Sequence, residues 1–314
     1  MMGPGASASA PGKVILLGEH SVVFGHPALA LAIDRRMTCH LKPSGSMRLN
    51  GFPLDPERNP HVRHALETLW EGGPLDIRTE SMIPSGSGLG SSAALSVAFV
   101  GALQALQGES DPEAAARAGF DMEFAAQGRA SPLDTSASAH GGGVAIKSEE
   151  EEGHLWTLER DGKRWCVHDI PVPEMTLVVG HSGVSAPTGP LVGRVRSYFD
   201  KSGFAREIVD EMGAIAQEGE AALKAGDLEL LGRLMTKNHK MLSILGVSTD
   251  RLNKLVDASL PHSYGAKLTG AGGGGSMIAL TDKPELVCDA IARHGGTPYA
   301  VRTGVPGLQT EPPL

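Results

Sequence analysis

Short apolar runs and longer amphipathic stripes divide this chain into strands and helices. Val14 to Leu17, Ala28 to Ile33, Met37 to Leu41, Leu75 to Glu80, Gly143 to Lys147, Met175 to Val179 and Thr297 to Arg302 have the length and residue types of strands. Asp34-Arg35-Arg36 is predicted as a charged turn between the second and third of these. Met47 to Leu54 reads as a short hairpin, and Trp156 to Leu158 and Trp165 to His168 flank the turn signal Asp161-Gly162. Asn59-Pro60 and Asp111-Pro112 each put an N-cap before a proline at the first helical position. The first of these helices carries Val62, Leu66 and Leu69 on one face, and the second runs to about Gln127. Ala94 to Leu106 is apolar all round, the mark of a buried helix. Phe204 to Ala258 is helical, with stripes at Phe204, Ile208, Met212 and Ile215 and at Leu228, Leu231 and Met235, and with Asp227 and Asp250 as N-caps. Pro284 to His294 is a further helix, Gly180 to Gly193 reads as a loop, and the Pro/Gly-rich tail from Gly304 is expected to be loose.

The chain has 314 residues, beyond the size at which one core usually splits. Pro171 and Pro173 punctuate it, which predicts two domains, residues 1–172 and 173–314, of α+β class. Net charge is −8 and aromatic residues make up only 4%, which argues against a nucleic-acid face or an anionic membrane surface as partner. The N-terminal residues lack a basic and then apolar leader, and no apolar run is long enough to span a bilayer. Cys39, Cys166 and Cys288 are far apart, without metal-ligand spacing, as expected of reduced thiols in a cytoplasmic protein.

Three stretches carry the candidate chemistry. Pro84 to Ala94 reads PSGSGLGSSAA, with Gly86, Gly88 and Gly90 free to take positive φ and to let a ligand approach the backbone. Ser91, Ser92 and Ala93 then open a helix whose first N–H groups have no partner within it. Those donors and the positive end of the helix dipole make an anion site suited to a polyphosphate. The spacing fits neither the Walker A loop nor the dinucleotide fingerprint. Ser9 to Phe24, SAPGKVILLGEHSVVF, is a strand broken by Gly18, with Lys13, Glu19 and His20 around it. Ala266 to Leu280, AKLTGAGGGGSMIAL, fuses a second glycine loop to a buried strand.

On these residues the chain resembles the GHMP kinases. Pro84 to Ala94 match in full the family's phosphate loop, P-x-x-x-G-L-G-S-S-A-A. Pro11 to His20 are similar to its first motif, P-G-K-x-x-L-x-G-E-H, and Lys267 to Gly275 to its third, K-x-T-G-A-G-G-G-G. The resemblance implies a ribosomal S5 domain 2-like N-terminal domain and a ferredoxin-like C-terminal domain. It implies that Pro84, Ser85, Gly86, Ser87, Gly88, Leu89, Gly90, Ser91 and Ser92 hold the phosphates of ATP. Ser92 and Glu123 would hold Mg²⁺, which takes few protein oxygens beside phosphate. Asp134, in a segment QGRASPLDT that reads as an irregular loop, falls where the family carries its catalytic aspartate. Lys13 would hold Asp134 ionised and stabilise charge on the γ-phosphate. Many members have Ser-Gly-x-Asp there, whereas Ser131-Pro132-Leu133-Asp134 is the form of archaeal members acting on mevalonate.

Gly18-Glu19-His20 followed by Ser-Val-Val resembles those same members, so Glu19, His20 and Thr188 would line a mevalonate pocket. Gly270, Ala271, Gly272 and Gly273 would close the site against the phosphate loop. Gly189 stands where related kinases carry a lysine, which leaves Arg194 or Arg196 to supply that charge. The implied reaction is ATP-dependent phosphorylation of the 5-hydroxyl of (R)-mevalonate, and the resemblance allows a homodimer. Three other readings stay open: a sister kinase acting on phosphomevalonate or on the 3-hydroxyl of mevalonate, a non-catalytic sensor on the same fold, and an RNA-binding module. His20, the intact Lys13, Glu123 and Asp134, and the negative net charge weigh against them in turn.

Overall fold

The computed structural model describes residues 4–84, 86–128, 130–185 and 188–312, without the side chain of Thr188. The two longest strands, β1 (Ala6–Leu17) and β2 (Ala28–Pro43), pair antiparallel at the centre of the first sheet. β2 runs unbroken where the charge pattern predicts a turn. A register shift opposite Pro11 and Gly12 absorbs the extra residues as a bulge. The three charges there have tertiary partners instead. Arg36 donates to Ser9 Oγ at 2.8 Å, Arg35 to the Ala300 carbonyl at 3.0 Å, and Arg302 lies 3.3 Å from Asp34.

The chain continues through a small hairpin, β3 (Arg48–Leu49) and β4 (Phe52–Pro53), then α1 (Pro60–Leu69), β5 (Leu75–Ser81), α2 (Ser91–Gln107), α3 (Pro112–Gln127) and α4 (Pro132–His140). β6 (Gly143–Lys147), β7 (His154–Arg160) and β8 (Lys163–Ile170) complete the sheet, in the order β4-β3-β5-β2-β6-β8-β7 with β1 also paired to β2. α2 and α4 lie on β1 and β2, with α3 packed against both helices. α2 is apolar all round because it is enclosed: Val97, Ala98, Phe99 and Ala102 are fully buried. α4 replaces the irregular loop expected around Asp134. Ser131 and Pro132 start it, and Asp134 sits in its first turn.

The second sheet is built from β9 (Thr176–His181), α5 (Thr188–Lys201), α6 (Gly203–Ala225), α7 (Leu228–Ile244), α8 (Asp250–Ser259), β10 (Gly265–Thr269), β11 (Ser276–Leu280), α9 (Pro284–Arg293) and β12 (Thr297–Arg302). Its antiparallel order β10-β11-β9-β12 is the ferredoxin-like arrangement. α5 occupies the end of the segment that reads as a loop, and Thr249 rather than Asp250 caps α8. Alternate residues of β9 face two cores. Leu177 and Val179 join Val14, Leu16 and Leu17 of the first sheet through Ile215, Leu231 and Met235, whereas Val178 faces Leu252, Leu255 and Ile291. The apolar core is therefore continuous from one sheet to the other.

The tail is not loose. β13 (Gln309–Glu311) pairs with β1, Arg36 donates to the Pro306 and Gly307 carbonyls at 2.8 and 2.7 Å, and Leu308 N–H donates to Ala139 at 2.9 Å. α7 approaches β10 through two glycines, since a Cβ on Gly265 would lie 1.8 Å from the Gly232 carbonyl oxygen. Gly265→Ala should therefore overpack this contact and destabilise the protein by at least about 1–3 kcal/mol, lowering Tm by several degrees in calorimetry. Gly193→Ala is the control: it sits in α5 with open space around it and should be neutral or stabilising by up to about 1 kcal/mol.

Candidate active site

Residues of all three motifs line one cleft of about 460 Å³ between the two sheets. The phosphate loop forms its floor. Gly86, Gly88 and Gly90 take φ of 68°, 77° and 74°, so the alternation of glycine answers an alternation of left-handed backbone. Gly90 caps α2 without a side-chain hydrogen bond, so the first N–H groups of the helix stay available to an anion. Ser87 turns its hydroxyl into the loop, donating to Pro84 at 2.6 Å, while its carbonyl accepts from Ser276 of β11 at 2.7 Å. Ser85 lies outside the described residues.

Lys13 stands over the loop. Its backbone N–H donates to Leu89 at 2.9 Å, and its side chain passes the place where a Cβ on Gly90 would sit, 2.9 Å from Lys13 Cγ. The ammonium reaches Asp134 Oδ2 at 3.0 Å, and Asp134 Oδ1 is buried without a hydrogen-bond partner. The start of α4 thus brings the aspartate to the lysine.

Ser92 in the first turn of α2 and Glu123 on α3 meet beside this pair. Burial pushes the Glu123 carboxyl up to about 7, with the Ser92 hydroxyl opposing the shift. Glu123 Oε1 is buried and unpartnered, with His61 Nε2 3.9 Å away. A buried carboxylate oxygen beside a hydroxyl is a donor set that suits a hard cation such as Mg²⁺. His61, whose Nε2 is 3.1 Å from Ser92 Oγ, is a site residue that the sequence patterns do not flag. Its one signal is its place straight after the Asn59-Pro60 helix start.

Another wall of the cleft is formed by the turn after β1. Gly18 has φ of 94°, and a Cβ there would lie 2.4 Å from the Pro27 carbonyl. His20 is buried with φ of 63°, unusual outside glycine. Its Nε2 donates to the Ala271 carbonyl at 2.9 Å, so Nε2 carries a proton, and Nδ1 is buried without a partner. Burial lowers the ring's pKa, which favours the neutral form. Glu19 does not offer a free carboxylate: one oxygen pairs with Lys267 and the other accepts from Asn238 at 3.3 Å.

The third glycine loop closes the cleft from the second sheet. Thr269 Oγ1 exchanges hydrogen bonds with both the N–H and the carbonyl of Ile15, each at 3.0 Å. Gly270 and Ala271 line the cleft, while Gly273 N–H donates to Val247 at 2.7 Å, where a Cβ on Gly272 would lie 2.1 Å from the same carbonyl. Thr188 starts α5, and its side chain lies outside the described residues. Arg194 donates to the Gly246 carbonyl at 3.2 Å and Arg196 is exposed; neither lines the cleft among the described residues.

Known proteins share this organisation. Residues 60–142 match the family described as GHMP kinases N terminal domain, and residues 220–297 match GHMP kinases C terminal. The chain is 36% identical to the mevalonate kinase of Pyrococcus abyssi, over 97% of each protein. It is 39% identical to that of Methanothermobacter thermautotrophicus, over 87% of this chain and 89% of that protein. Its fold superposes on the crystal structure of L. major mevalonate kinase in complex with R-mevalonate with a TM-score of 0.82 and 25% identity, covering 98% of this chain and 100% of that one. The full-length likeness to the archaeal proteins and the matches at both ends of the chain agree with the loop, the ion pair and the closing glycines: this chain is a member of the GHMP kinase family.

Proposed function

We propose that this protein is a mevalonate kinase, transferring the γ-phosphoryl group of ATP to the 5-hydroxyl of (R)-mevalonate to give 5-phosphomevalonate and ADP. The observation that carries the reading is the Lys13–Asp134 pair, 3.0 Å long, with the lysine buried and the aspartate half-buried, set between a helix start without a side-chain cap and the unpartnered Nδ1 of His20. One end of that cleft suits a polyphosphate and the other a small hydroxyl-bearing acid.

Phosphoryl transfer needs positioning and charge stabilisation more than covalent help. The backbone N–H groups at the start of α2 bind the phosphates. His20 Nδ1 accepts a hydrogen bond from a substrate hydroxyl and so orients the acceptor. The 5-hydroxyl oxygen forms its bond to the γ-phosphorus as the bond to the β–γ bridging oxygen breaks, and Asp134 Oδ1 takes the hydroxyl proton. Lys13 faces the charge that develops on the transferred group. Ser92 and Glu123 would hold Mg²⁺, which when bound neutralises charge on the β- and γ-phosphate oxygens. The two domains divide the work, residues 1–172 carrying the reacting groups and 173–314 the closing loop. Support for that boundary is that β8 ends at Ile170 and β9 enters the other sheet at Thr176.

A coupled ADP-release assay across mevalonate, phosphomevalonate, homoserine and galactose tests the substrate. Turnover should depend on mevalonate alone; a preference for another acceptor would overturn the assignment. Asp134→Asn keeps the side chain's size and removes its proton-accepting charge. It should lower kcat by about 10²–10⁴-fold with little change in nucleotide affinity, measured by steady-state kinetics and nucleotide titration on the same sample.

Glu123 gives a pH signature. Its carboxyl is protonated below about pH 7, and a cation needs the carboxylate. Mg²⁺ binding should therefore release a proton and tighten between pH 6 and 8, by calorimetry in buffers of different ionisation enthalpy. Glu123→Gln should abolish that proton release and raise the Mg²⁺ requirement. The same group makes the metal-free protein lose stability as pH rises from 4.5 towards about 7, because only the folded state still holds the proton.

A further inference from the structure

Lys267 is fully buried at the start of the third glycine motif, and its ammonium is bonded to Glu19 and, at 2.7 Å, to the Leu268 carbonyl. Glu19 lies across the domain junction, in the turn between β1 and the Ser21–Phe24 helical turn. That turn is conformationally costly. Gly18 has φ of 94° and His20 has φ of 63° with ψ of −43°, which lies outside the usual left-handed well. A non-glycine residue held there is strained and persists only where its surroundings over-determine it. Locally the turn has short-range bonds, such as Ser21 N–H to the Glu19 carbonyl at 2.8 Å and Ser21 Oγ to the Gly18 carbonyl at 3.2 Å. The side chains of Glu19 and His20 are anchored, among the described residues, from the other half of the molecule: Lys267 and Asn238 on Glu19, and the Ala271 carbonyl on His20.

A buried ion pair is weak evidence for stability, since desolvation offsets most of the attraction. Burial drives the Lys267 ammonium towards its neutral form and Glu19 opposes this, so the lysine's charge depends on the glutamate. An apolar pair would fill the same space without that dependence. What the ion pair supplies is direction: it ties the backbone of Glu19, one residue before His20, to the strand that leads into Ala271.

We infer that Lys267 is a positioning residue for the acceptor: by holding Glu19 it fixes the Gly18–His20 turn, so that His20 keeps Nε2 on Ala271 and its ring at the wall of the cleft. Lys267 touches neither the nucleotide nor the reacting atoms. It acts through Glu19, and the acceptor wall is complete only while the second sheet is docked. The inference rests on the acceptor role proposed above for His20.

The test uses the full chain, Lys267→Met, and the double variant Glu19→Gln/Lys267→Met, which leaves no buried charge unpaired. Lys267→Met should lower Tm and raise KM for mevalonate by about tenfold or more while KM for ATP stays within about threefold. The double variant should recover Tm without recovering KM for mevalonate. The ¹⁵N imidazole spectrum of His20, assigned by its loss in His20→Gln, should show the Nε2–H tautomer in the parent and lose that pattern in both variants. An unchanged His20 spectrum in a folded variant, equal rises in both KM values, or a double variant with the parent's KM for mevalonate would each overturn the inference. If Lys267→Met does not fold, the double variant carries the same comparison. A parent enzyme that ignores mevalonate would defeat the proposed substrate, and the His20 spectrum would still decide the role of Lys267.

Discussion

The Lys13 side chain passes within 2.9 Å of the place that a β-carbon on residue 90 would occupy. Gly90 leaves that space open, and the geometry of the site follows from it. A Cβ there would meet Lys13 Cγ at 2.9 Å, and the lysine would no longer lie flat between the phosphate loop and Asp134. Gly90 also takes a left-handed φ of 74° and caps α2 with no side chain, so it bends the loop into the helix while leaving the helix's first donors free. Cation, aspartate and anion-binding helix start are brought together at one residue.

Docking of the two sheets is the second constraint. The Pro84–Ala94 glycine loop and the Gly18–His20 turn both belong to the first half of the fold, yet each is completed from the second: Ser276 holds the Ser87 carbonyl, Thr269 clamps Ile15, and Ala271 receives His20. The apolar core crosses the same junction through Ile215, Leu231 and Met235. The tail adds a strap, with β13 laid on β1 and Arg36 gripping the Pro306 and Gly307 carbonyls. A cleft between rigidly docked halves presents its groups preorganised, as charge-stabilising catalysis requires.

The two carboxylates of the site sit in contrasting surroundings. Glu123 is enclosed beside Ser92 and His61, and burial holds its carboxyl up to about 7. Asp134 has a lysine at 3.0 Å and lies in the first turn of a helix, where the dipole favours negative charge. Different environments for paired carboxyl groups separate their chemical roles. In the proposed mechanism Glu123 would hold the cation and Asp134 would take the hydroxyl proton.

Much of this was legible in the order of residues. Glycine spacing in Pro84 to Gly90 announces a left-handed, ligand-accepting loop because only glycine adopts that backbone freely. Periodicity of 3.6 and 2 placed α2, α3, the long helices and most strands, since burial of one face is a local property of the pattern. Three things were decided only by the tertiary structure. The segment Asp34–Arg36 became a bulge instead of a turn because the tail, β12 and Ser9 offer its charges partners that no local pattern reveals. Asp134 moved from a loop to the first turn of α4, where Ser131-Pro132 was the helix signal hidden by its glycine-rich surroundings. The third was the pairing of Glu19 with Lys267 and of Ser92 with His61, residues far apart in the chain. Local sequence sets backbone preference and the direction of burial; which charged group meets which is a property of the packed molecule, where desolvation makes an unpaired buried charge costly.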